Sequence, residues 1–225
     1  MKPTHVQAHF LSALIAVQQG RLEQARSYLD TVCTIDPAHA QAAMLRGHVL
    51  DRLGDPVNAV ASLDMAAALM PGSAMLWNYR AQALFSLKRY DEALACCDRA
   101  LSLTPGRTDT AFLRGVLLQM LGRFSQAMRT WDQLLEASPA DAGTHELIAR
   151  GLLAGVGHGR PEAELLCDAL KYADTAIALQ PDRGTAHEVR ASVLERCGDI
   201  LAALASYRQA LRLRPELDDA SYGMG

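Results

Sequence analysis

Small apolar residues recur along this chain with a long period. An alanine stands at Ala25, Ala59, Ala93, Ala127, Ala169 and Ala203, and a second small residue precedes each, at Ala13, Gly47, Ala81, Gly115, Ala149 and Ala191. Small side chains on two successive helices let the helix axes approach closely where they cross. A turn separates the two positions, with Gly20, Gly54, Gly122 and Gly198 in four units and Lys88 in a fifth. Glycine there takes the left-handed conformation that ends a helix. Runs such as Arg89-Tyr90-Asp91-Glu92-Ala93 and Arg123-Phe124-Ser125-Gln126-Ala127 then start another. Each unit is predicted to be a tight helical hairpin.

Prolines close the hairpins. Pro37, Pro71, Pro105 and Pro139 follow one another at 34-residue intervals, Pro181 comes after 42, and Pro215 after 34 again. The residue before proline is pushed out of the α region and proline cannot continue the ladder, so the steps from Asp36-Pro37 to Arg214-Pro215 end the second helices. The period divides a single array over 1–225 into repeats at 6–39, 40–73, 74–107, 108–141, 142–183 and 184–217, with 218–225 as the start of an incomplete seventh. The fifth repeat is eight residues longer, and the excess falls near 154–161, around Gly155-Val156-Gly157-His158-Gly159-Arg160-Pro161. An enlarged hairpin loop is expected there, followed by an unusually long second helix from Pro161, which suits a first turn, to about Gln180. A complete solenoid closes with a polar capping helix, so the unfinished end is expected to continue into a longer protein or to expose an apolar face.

These positions resemble the tetratricopeptide repeat family, whose unit carries a W-x2-L-G-x2-Y, then A-x3-F, then P pattern. The third unit shows it as Trp77, Arg80-Ala81, Leu84, Ala93, Cys97 and Pro105, the fourth as Ala111, Arg114-Gly115, Leu118, Ala127, Trp131 and Pro139, and the likeness covers nearly the whole chain. The resemblance implies an all-α, right-handed superhelical solenoid of antiparallel helix pairs, whose first helices line a concave surface that takes peptides. Helical spacing then puts Phe10, Leu14, Met44, His48, Asn78, Gln82, Phe85, Phe112, Val116 and Gln119 in an apolar, aromatic and amide stretch of the groove. Glu146, Arg150, Glu188, Ser192 and Glu195 fall in a charged stretch. Two specialised grooves of the family are not matched. Leu11, Leu45, Tyr79 and Leu113 stand where co-chaperones place the Lys and Asn of a carboxylate clamp, and Asn78 is one residue off the asparagine ladder of protein O-linked glycosyltransferases.

Composition agrees with many short helices packed through small side chains: half the residues are hydrophobic, only 5% are aromatic, and Ala and Leu dominate. The net charge of −3 comes from 22 Lys+Arg against 25 Asp+Glu spread along the chain, so no field of one sign attracts a polyanion and nucleic acid is not an expected partner. Phe10 to Val17 is apolar and follows Lys2, but it is short, lacks a clear cleavage site and fits the repeat register better than a signal-peptide core. No stretch approaches the ~20 apolar residues that span a bilayer. The five cysteines, Cys33, Cys96, Cys97, Cys167 and Cys197, are an odd set without CxxC spacing in a chain too long to need disulfide staples, which reads as a reducing, cytoplasmic location. Cys96 and Cys97 point about 100° apart on a helix and read as buried core thiols.

No GxSxG, HExxH, P-loop or CxxC motif is present, so the chain is not expected to be an enzyme, and no catalytic residue, cofactor or metal site is assigned. The Gly155–Gly159 stretch lacks the Lys-Ser or Lys-Thr of a phosphate loop. His9, His145 and His187 share the repeat position of Trp77, which spaces them roughly 20 Å apart, beyond shared ligation. His158 on the inserted loop is the histidine left open to function. Arg46, Arg80, Arg114 and Arg190 each precede the small residue of a first helix. Such an arginine ladder either grips a ligand's carboxylates or backbone, or lies over the interhelical seam and pairs with acids of its own array. The sequence therefore reads as a protein-interaction scaffold for a peptide or helix of a partner protein. The alternatives are the N-terminal recognition segment of a larger enzyme, such as a protein glycosyltransferase with its catalytic domain beyond residue 225, and a scaffold that forms a homo-oligomer through its unfinished C-terminal end.

Overall fold

The turn glycines and the prolines cut the chain where the period places them. In the computed structural model, which describes residues 3–157 and 161–214, twelve α-helices and no strand occur among the described residues. They are α1 (Pro3–Gln18), α2 (Leu22–Ile35), α3 (Ala40–Arg52), α4 (Pro56–Leu69), α5 (Ala74–Ser86), α6 (Tyr90–Leu103), α7 (Thr108–Met120), α8 (Phe124–Ala137), α9 (Ala142–Ala154), α10 (Glu162–Leu179), α11 (Gly184–Arg196) and α12 (Ile200–Leu213). His158, Gly159, Arg160, Pro215 and the start of a seventh unit at 218–225 lie outside the described residues.

The helices α2, α4, α6, α8 and α10 each stop two residues before a proline, at Ile35, Leu69, Leu103, Ala137 and Leu179. Inside the hairpins, Lys88 adopts φ 59°, the left-handed turn that other units give to glycine, as at Gly54 with φ 80°. Several first turns are capped by a side chain that accepts a backbone N–H: Asp55 from Asn58, Ser73 from Leu76, Asp199 from Ala202, and the His39 ring from Ala42.

The chain folds as two compact units, Met1–Leu113 and Arg114–Gly225, with the boundary inside α7. In the first, the hairpins α1/α2, α3/α4 and α5/α6 form, and each second helix packs on the next first helix, α2 on α3 and α4 on α5. In the second, the hairpins α9/α10 and α11/α12 form, and α10 packs on α11. The small residues stand at the close crossings. A Cβ on Gly47 would lie 2.4 Å from Leu63 Cγ, and one on Gly115 would lie 2.0 Å from Trp131 Nε1. The alanines at the partner position, from Ala25 to Ala203, are all at most 3% exposed.

The inserted stretch has a packing role in the second unit. Helix α10 runs for 18 residues, against 14 in α8 and α12. At the end of α9, Gln119, 1% exposed, fills the space beside Gly155, where any Cβ would overlap its amide. With the amide oriented to satisfy both groups, its nitrogen donates to the Gly151 carbonyl at 3.0 Å and its oxygen accepts from the Gly155 N–H at 3.2 Å. The side chain of α7 thus closes the C-terminal end of α9, and Gly155 is required by that close approach.

Candidate interaction surface

The four arginines turn inward. Arg46 Nε donates to Asp30 at 2.5 Å and its terminal nitrogen to Ser62 at 2.6 Å; Arg80 bonds Asp64 at 2.7 Å and the Cys96 sulfur at 3.0 Å; Arg190 bonds Asp174 at 2.6 Å and Ser206 at 2.7 Å. Arg114 makes the corresponding bond to Thr130 at 2.6 Å. For Arg46, Arg80 and Arg190 the partners lie sixteen residues before and sixteen after, so each guanidinium joins the preceding second helix to its own hairpin partner. Of the two readings of the ladder, the bonds match the second: these donors are engaged with the protein's own helices.

The ten groove positions divide by burial. Phe10, Asn78, Val116 and Gln119 are between 1% and 8% exposed and fill space inside the array. Phe10 packs on the His39 ring at 4.8 Å. Asn78 donates to Asp109 at 3.3 Å and accepts from the Thr110 hydroxyl at 3.0 Å. Leu14 is 37% exposed, and Met44, His48, Gln82, Phe85 and Phe112 are half-buried.

Among these, α3 and α5 of the first unit build one shelf. The His48 and Tyr79 rings stack at 4.1 Å with an interplanar angle of 18°, Phe85 tilts against Tyr90, and Met75, a turn before Asn78, is 42% exposed. On α3, His48 Nδ1 and Asp51 Oδ1 are shielded from solvent without a hydrogen-bond partner among the described residues. Burial, followed by the nearby Arg52 charge, holds the His48 ring below the usual histidine pKa. Burial pushes the Asp51 carboxyl up, with a Ser86 hydrogen bond opposing it. Met75 and Asp51 were not singled out from sequence, although both follow from helical spacing, three residues before Asn78 and three after His48.

In the second unit the charged positions bond to one another. Glu146, 3% exposed, accepts from Arg150 at 2.6 Å, from Thr185 at 2.6 Å and from Arg183, tying α9 to the start of α11. Tyr207 donates to Glu195 at 2.9 Å and meets Ser192 at 3.2 Å. The histidines at the tryptophan position also have structural partners. Trp77 Nε1 donates to the Pro71 carbonyl and His187 Nε2 faces the Pro181 carbonyl, both at 2.9 Å, while His145 Nδ1 faces the Asp141 carbonyl at 3.0 Å. Among the described residues, no group of three or more His, Cys, Asp or Glu could hold a metal ion, and no helix is long and apolar enough to cross a membrane.

Helical hairpins closed by proline and crossing at small residues define a class of repeat proteins built from stacked helix pairs. The chain belongs to the tetratricopeptide repeat family, whose models match residues 1–40, 10–74, 74–106 and 167–218. The fold is shared with the crystal structure of PilW, a type IV pilus biogenesis factor, at a TM-score of 0.73 and 20% identity over 96% of both chains. PilF of Pseudomonas aeruginosa gives 0.66 at 21% identity over 94% of this chain and 93% of that one. YrrB, described as a TPR protein with an unusual peptide-binding site, gives 0.52 at 16% identity over 83% of this chain and 92% of its own. At these identities the likeness is one of fold. No curated protein sequence matches the chain.

Proposed function

We propose that the protein is an interaction scaffold that takes an extended peptide of a partner protein along the first-helix face of its first unit. The carrying observation is the shelf on α3 and α5, where the His48 and Tyr79 rings stack and Met75, one turn before Tyr79, is exposed. Met44, Met75 and Phe112 supply apolar surface, and Gln82 an amide, a mixture suited to apolar side chains on a hydrogen-bonding backbone. The peptide-binding site named for YrrB, which shares the fold, supports the same reading. A peptide array displaying paired apolar anchors tests it. Wild-type protein is expected to bind a subset, and Met44→Glu with Phe112→Glu to weaken that binding at least about ten-fold. No binding above background, or binding unchanged in the double variant, sinks the proposal.

A second reading, self-association, is favoured by the terminal helices. Leu201, Leu204 and Leu211 on α12 are 82%, 47% and 39% exposed, whereas Val60 and Leu94, at the repeat position of Leu204, are 7% exposed. On α1, Ile15 is 52% exposed where Val49, Ala83 and Val193 are 0%. A second copy laying its α1 on α12 would cover both faces. Sedimentation over a concentration series is expected to show a heavier species that Leu204→Glu abolishes; a monomer throughout removes this reading.

A further inference from the structure

Two of the five thiols are exposed on one seam. Cys167 on α10 and Cys197 at the end of α11 both line a cavity of about 600 Å³, floored by Leu166 and Leu170, with the Arg196–Glu162 ion pair at 3.7 Å joining the same two helices. Cys96 and Cys97 are buried, and Cys33 is half-buried.

The register of α10 against α11 is fixed by the bond between Arg190 and Asp174 at 2.6 Å. Cys167 lies seven residues before Asp174, and Cys197 seven residues after Arg190. Seven residues are about two turns, so each cysteine returns to the face on which that bond forms. Because the two helices run antiparallel, both displacements point the same way along the seam. The thiols therefore stand opposite each other, across packed helices whose axes are typically roughly 8–10 Å apart.

We propose that Cys167 and Cys197 form a redox dithiol that closes to a disulfide by exchange with a low-molecular-weight disulfide such as oxidised glutathione. One cysteine thiolate attacks the small disulfide, forming a mixed disulfide and releasing one small thiol. The second thiolate then attacks the protein sulfur of that mixed disulfide, forming the Cys167–Cys197 bond and releasing the second small thiol. The two cysteines lose two electrons, the small disulfide gains them, and the protons end on the two released thiols. The bond fastens the N-terminal part of α10, just past its added turn, to the turn that leads into α12 and closes the cavity between them. A dithiol of this kind is compatible with a reducing compartment, where disulfides are transient and sensing.

The test treats the full chain with oxidised glutathione, blocks the remaining thiols by alkylation, and maps the peptides by mass spectrometry. The expected product is a cross-linked Cys167–Cys197 peptide within one chain, with Cys33, Cys96 and Cys97 alkylated. In Cys167→Ser the exchange stops at the first step, so Cys197 carries glutathione, and at least about ten-fold more of it than in wild type, because the intramolecular thiol is gone. Cys197→Ser gives the converse. Both substitutions are at exposed positions, and circular dichroism confirms that the variants fold. Stable glutathione on both cysteines of the wild type, or a cross-link between chains, overturns the proposal.

Discussion

At the scale of single residues, the crossings are set by what one atom displaces. Gly115 lies under Trp131, which is 1% exposed, so Gly115→Ala is expected to cost about 1–3 kcal/mol in chemical denaturation followed by tryptophan fluorescence. In a Trp131→Leu background the same change should cost much less, since the obstructing ring is gone. Lys88 bears a side chain at φ 59°, and Lys88→Gly should raise stability by up to about 1 kcal/mol, read as a higher thermal midpoint. His48 is held below the usual histidine pKa, so the unfolded chain takes up its proton first as pH falls. Its contribution is therefore complete above the ordinary histidine pKa of about 6.5 and is lost as pH falls through the lowered value of the folded state, and His48→Phe should flatten that part of the pH dependence of the thermal midpoint. The same scale separates groove positions that the sequence treats alike. Asn78 and Met44 hold equivalent positions, but Asn78 finds Asp109 and Thr110 on the following first helix, partners that local spacing does not reveal.

At the scale of elements, the hairpins were legible because their signals are local. A glycine or lysine in a left-handed turn, an alanine at the crossing and a proline just past the helix end act within a few residues, and all twelve helices follow them. The arginines were legible as a series but not in their role, because the partners sixteen residues away meet them only after the helices stack. Arg190→Met should cost about 1 kcal/mol in urea denaturation, since it removes a bond to the buried Ser206 as well as one to the half-exposed Asp174. Asp174→Asn should cost less than about half of that, because its carboxylate is half in water and the Ser206 bond remains. Gln119 had no sequence signal as a cap. Its role exists only because the longer fifth hairpin ends α9 at a glycine with room for an amide.

At the scale of the whole molecule, a repeat array is about as strong as each junction between neighbours. The fifth first helix has Ile148 where α3, α5, α7 and α11 have the bonding arginine, so the junction of α8 with α9 lacks that bond. Native-state hydrogen exchange should find the facing amides of α8 and α9 opening before those of α10 and α11, which Arg190 and Asp174 join, and equal protection at both junctions would contradict this ranking. The arginine bonds also give the array a direction of growth. A duplicated copy of 40–73 inserted after itself would offer Asp64 to an incoming arginine, as Asp30 and Asp64 are offered now, and would fit without redesign. The same copy appended behind α12 would meet Arg208, which occupies the place of that aspartate, and would set two guanidiniums face to face. Lengthening by internal duplication is thus written into the charge order, whereas extension past α12 first requires that one sign be reversed.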